Sequence, residues 1–172
     1  RHVIIDIPEK NRQEMFDNLP EEYSHLYLAI EDKLAAVICI EDPVRPEAKE
    51  VISSLKELGI SKVVMMTGDS ERTAKAIAGK VGVDEYYSEV LPEDKASFVE
   101  KEKAAGRKVI MIGDGINDSP ALSAADVGIA ISDGAQIARE IADITVSADD
   151  LGQIVYLKDL SNNLIKKINR NY

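Results

Sequence analysis

The sequence holds one cysteine, Cys39, and no tryptophan. A single thiol makes no internal disulfide and no cysteine cluster for a metal, and it fits a reducing compartment such as the cytosol. Aromatic residues are sparse, with two Phe and six Tyr in 172 residues, so the core must be built from aliphatic side chains. No apolar run reaches the roughly 18 to 20 residues that a membrane-spanning helix needs, and the N-terminus has no signal-peptide pattern. Cations are in deficit too: 21 Lys and Arg stand against 31 Asp and Glu, a formal net charge of -10. That balance argues against nucleic acid as a partner, because neutralising phosphates takes clustered basic residues.

What is present reads as a globular α/β protein. The 45% hydrophobic content suffices for one domain, or one domain and a fragment of another. The chain starts at Arg1 and stops inside a helical pattern, so both ends read as cut. From His25 onward, short apolar runs alternate with helical stretches, the pattern of a Rossmann-like parallel sheet with helices on both faces. Strands are expected at Leu26 to Ile30, Leu34 to Ile40, Lys62 to Met66, Lys108 to Ile112, Val127 to Ile131 and Asp143 to Val146. Helices are expected at Pro46 to Leu58, Ser70 to Lys80, Glu93 to Ala105, Asp118 to Ala125 and Ala135 to Ile141. Ahead of these, strand-like Val3 to Ile7 and a hairpin turning at Glu31, Asp32 and Lys33 suggest a short antiparallel β segment, with a junction at Glu41, Asp42 and Pro43. The final stretch, Leu151 to Tyr172, spaces Leu157, Leu160, Leu164, Ile165 and Ile168 as an amphipathic helix with a basic end. It reads either as a terminal docking helix or as a stalk approaching an anionic leaflet.

Two strand ends and one helix start carry polar residues that suit phosphate chemistry. Ile112-Gly113-Asp114-Gly115-Ile116-Asn117-Asp118 puts two carboxylates where a strand becomes a helix, a place where parallel sheets bind ligands and where hard Mg²⁺ finds oxygen ligands. The structural alternative is a turn at Asp114 and a helix cap at Asp118. Thr67-Gly68-Asp69 repeats the theme after an earlier strand, where a hydroxyl and free N–H groups can hold a phosphate oxygen or simply cap a helix. Pro92 can start a helix that carries Lys95 on its first turn, and an ammonium there either neutralises a phosphate or sits solvated at the surface.

In this order, Thr67, Lys95, Asp114 and Asp118 resemble the second, third and fourth motifs of the haloacid-dehalogenase superfamily. The segments EDPVRP (41–46), MTGDSERT (66–73), LPEDK (91–95) and MIGDGINDSPAL (111–122) are similar to those of heavy-metal P-type ATPases. The resemblance implies a haloacid-dehalogenase-type fold and an ATP-driven heavy-metal cation transporter that works through an aspartyl phosphate with Mg²⁺. Its texture is nearer the zinc and cadmium exporters than the copper ones. In that scheme Thr67 binds the phosphoryl group, Lys95 stabilises its charge, Asp114 and Asp118 hold Mg²⁺, and Asn117 supports the phosphate site. Asp42, Gly68 and Asp69 join Thr67 on the nucleotide side. Residues 1–41 would be the end of a nucleotide-binding domain, 42–150 a phosphorylation domain without its first strand, and 151–172 a helix leading towards the membrane.

The resemblance also exposes a gap, because the DKTGT segment that supplies the family's nucleophile does not occur here. The implied partners are therefore that segment, the actuator and membrane domains of the same transporter at the cytoplasmic face, and the heavy-metal cation. The chain alone is expected to be inactive. Two further readings stand beside this one: a stand-alone phosphatase using Asp6, and a pseudoenzyme that binds Mg²⁺, phosphate or a partner without turnover. Pro8 counts against the first, since it has no N–H to donate where the family has a threonine.

Overall fold

The computed structural model describes residues 2–6, 17–18, 24–30, 33–40, 44–132 and 140–171. Strands β1 (His2–Asp6), β2 (Ser24–Ile30) and β3 (Lys33–Ile40) form an antiparallel sheet in the order β1-β3-β2. Lys33 pairs with Ile30, so it belongs to the strand and the turn is shorter than the sequence suggests. Asp6 lies opposite Ala36. That pairing commits β1 to β3, and leaves neither Asp6 nor its strand in the parallel sheet.

The rest alternates as expected: α1 (Ala48–Glu57), β4 (Val64–Met66), α2 (Glu71–Val81), β5 (Glu85–Tyr87), α3 (Pro92–Ala104), β6 (Ile110–Gly113), α4 (Ser119–Ala124), β7 (Val127–Ile131), β8 (Ile144–Val146) and α5 (Gly152–Asn171). Strand β5 escapes sequence reading because Glu85-Tyr86-Tyr87 is short and lacks an apolar run. Most of the expected helix from Ala135 to Ile141 lies outside the described residues. Helix α2 ends as its composition dictates: the Ser70 hydroxyl accepts from the Thr73 N–H at 3.4 Å, and Gly82 closes it at φ 78°, a backbone that glycine adopts without strain.

All these later strands are parallel, in two groups: β4 with β5, and β6 with β7 and β8. The chain thus adds strands outward from β4 and outward from β6, and among the described residues no ladder joins those two. Helices cover both faces. Val51 and Leu55 of α1 and Ile154 of α5 pack on Ile129 and Val146, while Val99 of α3 and Ala121 and Leu122 of α4 pack on Met111 and Ala130. Adjacent residues Ile129 and Ala130 serve opposite clusters because successive strand side chains point to opposite faces. Beyond its first turns α5 leaves this core, and Leu160, Leu164, Ile165 and Ile168 are exposed.

One device recurs at the amino ends of the strands. Asp84 donates its N–H to the Val63 carbonyl at 2.9 Å and accepts the Val63 N–H on its carboxylate at 2.8 Å. Asp126 does the same to Val109, at 3.0 and 2.8 Å, and Asp143 to Gly128, at 3.0 and 2.7 Å. Each clamp ties an outer strand to its inner neighbour one residue before pairing begins, and so pins the register. Asp143→Ala leaves the Gly128 N–H without an acceptor and should cost about 1–3 kcal/mol in a urea titration. Asp143→Asn, which keeps an acceptor oxygen, should lose less.

The clamps also predict acid sensitivity. The Lys56 ammonium and then the Val63 N–H hold Asp84 below the usual carboxylate range, and the Val109 N–H does the same for Asp126. A depressed folded-state value stabilises the fold above the unfolded value near 3.9 and is lost as pH falls through the folded one. The urea midpoint should therefore hold from pH 7 to about pH 5 and drop below about pH 4. Asp126→Asn should flatten that acid limb.

Candidate functional site

The residues singled out by their spacing lie at the carboxyl ends of β4 and β6. Thr67 follows β4 and Asp114 follows β6. Met66 packs against the cluster containing Met111, which sets the two strand ends side by side.

On the β6 side, Gly113 allows the Asp118 carboxylate to fold back against the strand, since a Cβ at 113 would lie 2.4 Å from Asp118 Oδ2. The Asp114 N–H donates to that oxygen at 3.3 Å, and the Lys95 ammonium donates to Asp118 Oδ1 at 2.7 Å. Asp118 is 8% exposed. Its side chain makes no cap to α4, so the helix-cap explanation fails for Asp118. Lys95 is likewise no solvated surface cation, because only 16% of its side chain is exposed. The turn explanation holds in part for Asp114, whose Oδ1 accepts the N–H groups of Ile116 at 3.0 Å and Asn117 at 3.3 Å. Gly115 makes that turn at φ 86°.

On the β4 side, the Thr67 hydroxyl donates to Asp69 Oδ2 at 2.7 Å and accepts from the Asp69 N–H at 3.1 Å. The cap of α2 is Ser70, which frees Asp69 from that structural role. Gly68 is open, its nearest contact for an added Cβ being the Val90 carbonyl at 3.8 Å. Glu71, in the first turn of α2, accepts from Ser88 and Tyr86 at 2.7 Å each, and these donors hold its carboxyl below the ordinary range. They fasten α2 to β5 and to the loop after it. Asp42 lies outside the described residues.

Asp114 and Asp118 put two carboxylates on the loop after β6, and among the described residues no group of three or more His, Cys, Asp or Glu side chains forms a metal cage. That donor set fits Mg²⁺, which keeps waters and phosphate oxygens alongside one or two protein carboxylates. Sequence reasoning missed Glu89. Its signal is conformational, a positive φ that composition does not announce.

The fold and the strand-end motifs define the haloacid dehalogenase-like hydrolase class, whose family model matches residues 3–126. A copper-transporting ATPase of Rhizobium meliloti (strain 1021) is 49% identical over 86% of this chain and 18% of its own length. A manganese-exporting P-type ATPase of Mycobacterium leprae is 41% identical over 95% of this chain and 23% of its own. Among solved structures, a zinc-transporting PIB-type ATPase superposes with a TM-score of 0.77 at 33% identity, covering 99% of this chain and 28% of that one. The chain thus spans about a fifth of the length of the curated relatives it matches, 18% and 23% of these two. It belongs to the haloacid dehalogenase-like hydrolases and, within them, to the phosphorylation domains of heavy-metal P-type ATPases. Relatives named for copper, manganese and zinc match at 41–49% identity, so the similarity does not single out one of these names.

Proposed function

We infer that this chain is the receiving half of an aspartyl-phosphate site in an ATP-driven transporter of heavy-metal cations, with the nucleophile supplied by a DKTGT segment outside these residues. The observation that carries the reading is the break between β4 and β6. Two strands with no ladder between them among the described residues lead into Thr67 and Asp114, and Ile110 and Ile112 of β6 are 42% and 36% exposed. Parallel strands are normally buried on both faces. An inserted strand would pair with both edges and bring its carboxyl end to the site.

The residues then take the following parts. Aspartate from the inserted segment attacks the γ-phosphorus of ATP, ADP leaves, and water later hydrolyses the acyl phosphate. Thr67 donates its hydroxyl to a phosphoryl oxygen once that oxygen displaces Asp69 as acceptor. Lys95 presents its ammonium to the same charge, and Asn117 supports the loop around it. Asp114 and Asp118 would hold Mg²⁺, which when bound would supply positive charge to offset that of the phosphoryl group. Gly68 and Asp69 take the nucleotide side, a part that the family resemblance also gives to Asp42. In this reading residues 1–41 close the nucleotide-binding domain, 42–150 form the phosphorylation domain, and α5 runs towards the membrane domain at the cytoplasmic face.

Incubated with γ-labelled ATP and Mg²⁺, the chain alone should form no acid-stable phosphoprotein. Co-expression with the upstream part of its transporter that bears DKTGT should restore label on that part. Label on the isolated chain, at Asp6 or elsewhere, would overturn the reading.

A further inference from the structure

Glu89 is the only non-glycine residue with positive φ among the described residues, at 52°. A Cβ crowds the following carbonyl in that conformation, so glycine or asparagine is the usual occupant. Such strain persists where the surroundings enforce it. Here the enforcement comes from the backbone, because the Glu89 side chain is exposed and makes no hydrogen bond or ion pair among the described residues. The Glu89 N–H donates to the Asp69 carbonyl and the Val90 N–H to the Thr67 carbonyl, both at 2.9 Å. Thr67 in turn donates its N–H to the Tyr87 carbonyl at 3.0 Å. The left-handed residue therefore lets two consecutive N–H groups grip the Thr67 loop.

Helix α3 begins directly beyond it. The Leu91 carbonyl accepts from the N–H groups of Asp94 and Lys95 at 3.0 and 3.2 Å, and the Asp94 carboxylate accepts the Leu91 N–H at 3.4 Å. The path from the Thr67 backbone to the Lys95 backbone is thus a two-bond grip, one strained residue and one turn of helix. From there the Lys95 ammonium reaches Asp118.

We propose that Glu89 is a positioning residue, whose enforced left-handed backbone joins the Thr67 loop to the start of α3 and so sets where the Lys95 ammonium stands. The use of Lys95 in phosphoryl transfer rests on the function inferred above. The joint does not. Glutamate at this position gives up stability and gains stiffness, whereas glycine would relieve the strain and loosen the link.

Competitive acetylation of the lysines of the whole chain, read by mass spectrometry, tests this without ATP or the missing segment. Lys95 should be slow in the native protein. Glu89→Gly should melt at or above the parent temperature, yet acetylate Lys95 about three-fold faster, with Lys56, Lys75 and Lys103 unchanged. Glu89→Asn, which tolerates the left-handed region, should stay near the parent. Glu89→Val, which does not, should raise Lys95 about ten-fold. An unchanged Lys95 rate in Glu89→Gly, or a rise shared by all lysines at an unchanged melting temperature, overturns the proposal. If Glu89→Val unfolds, Glu89→Gly alone decides. A failed phosphorylation assay would count against the function inferred above and leave the labelling result standing.

Discussion

Gly128→Ala should lower the stability of the chain by about 3 kcal/mol, which for a protein of this size is about 6 to 12 °C in melting temperature. A Cβ at Gly128 would stand 2.6 Å from the Leu122 carbonyl oxygen and 3.2 Å from its carbon. These are backbone atoms of α4, and α4 has nowhere to retreat, since Ala121 is 0% and Leu122 1% exposed. The obstruction would push α4 off β7 and open the cluster shared with Val99, Met111 and Ala130. It would also disturb the Asp143 clamp, both of whose hydrogen bonds are made with the Gly128 backbone. Gly79→Ala is the control. It lies inside α2 with nothing within 4 Å of an added Cβ, and should stabilise by about 0.5–1 kcal/mol. A Gly128→Ala protein melting within about 2 °C of the parent would mean that α4 is not seated on β7.

Most of the fold was legible because its elements obey local rules. Val51 and Leu55 repeat at helical spacing, Ser70 and Gly82 bracket α2, and Val127 to Ile131 is an unbroken apolar run that only a strand buried on both faces needs. What stayed hidden depends on partners distant in sequence. Glu85-Tyr86-Tyr87 becomes a strand because β4 lies beside it, and the Asp84, Asp126 and Asp143 clamps need a neighbouring strand to clamp. The exposed stripe of α5 was legible as a pattern, but its seating was not: only the first turns reach the core, where Ile154 is 5% exposed, while Leu160 is 52% exposed.

The site divides the same way. Thr67, Lys95, Asp114 and Asp118 were identified by residue type, order and position at strand ends, and each keeps a structural alternative on sequence alone. Geometry separates the alternatives. A capping Asp118 would accept N–H groups of its own helix, yet its oxygens take the Lys95 ammonium and the Asp114 N–H. Lys95 as an isolated letter reads as surface charge, and only the fold brings it 2.7 Å from a carboxylate 23 residues away. Glu89 belongs to a third category, since a glutamate gives no sign that its backbone is left-handed.

Lys95→Met should be the most damaging change at the site, for stability and for chemistry. It leaves Asp118 buried without its cation, and with the two side chains 16% and 12% exposed the cost should be about 2–4 kcal/mol. Asp118→Asn should cost less, because the longer lysine can swing its ammonium towards water. In the double variant no buried charge remains unpaired, so a cycle of denaturant titrations should give a coupling of about 2 kcal/mol. Mg²⁺ then separates a structural ion pair from a metal site. In the parent, Mg²⁺ must compete with the Lys95 ammonium for Asp118, whereas in Lys95→Met it meets a bare carboxylate. Added Mg²⁺ should therefore raise the melting temperature of Lys95→Met more than that of the parent, and leave Asp118→Asn nearly unmoved. In the complemented transporter, Lys95→Met should slow acyl-phosphate formation by about 10²- to 10³-fold, the usual loss when one preorganised charge on a developing oxyanion is removed. Equal Mg²⁺ responses in all three proteins would make the pair purely structural, and the Mg²⁺ role of Asp114 and Asp118 would fall with it.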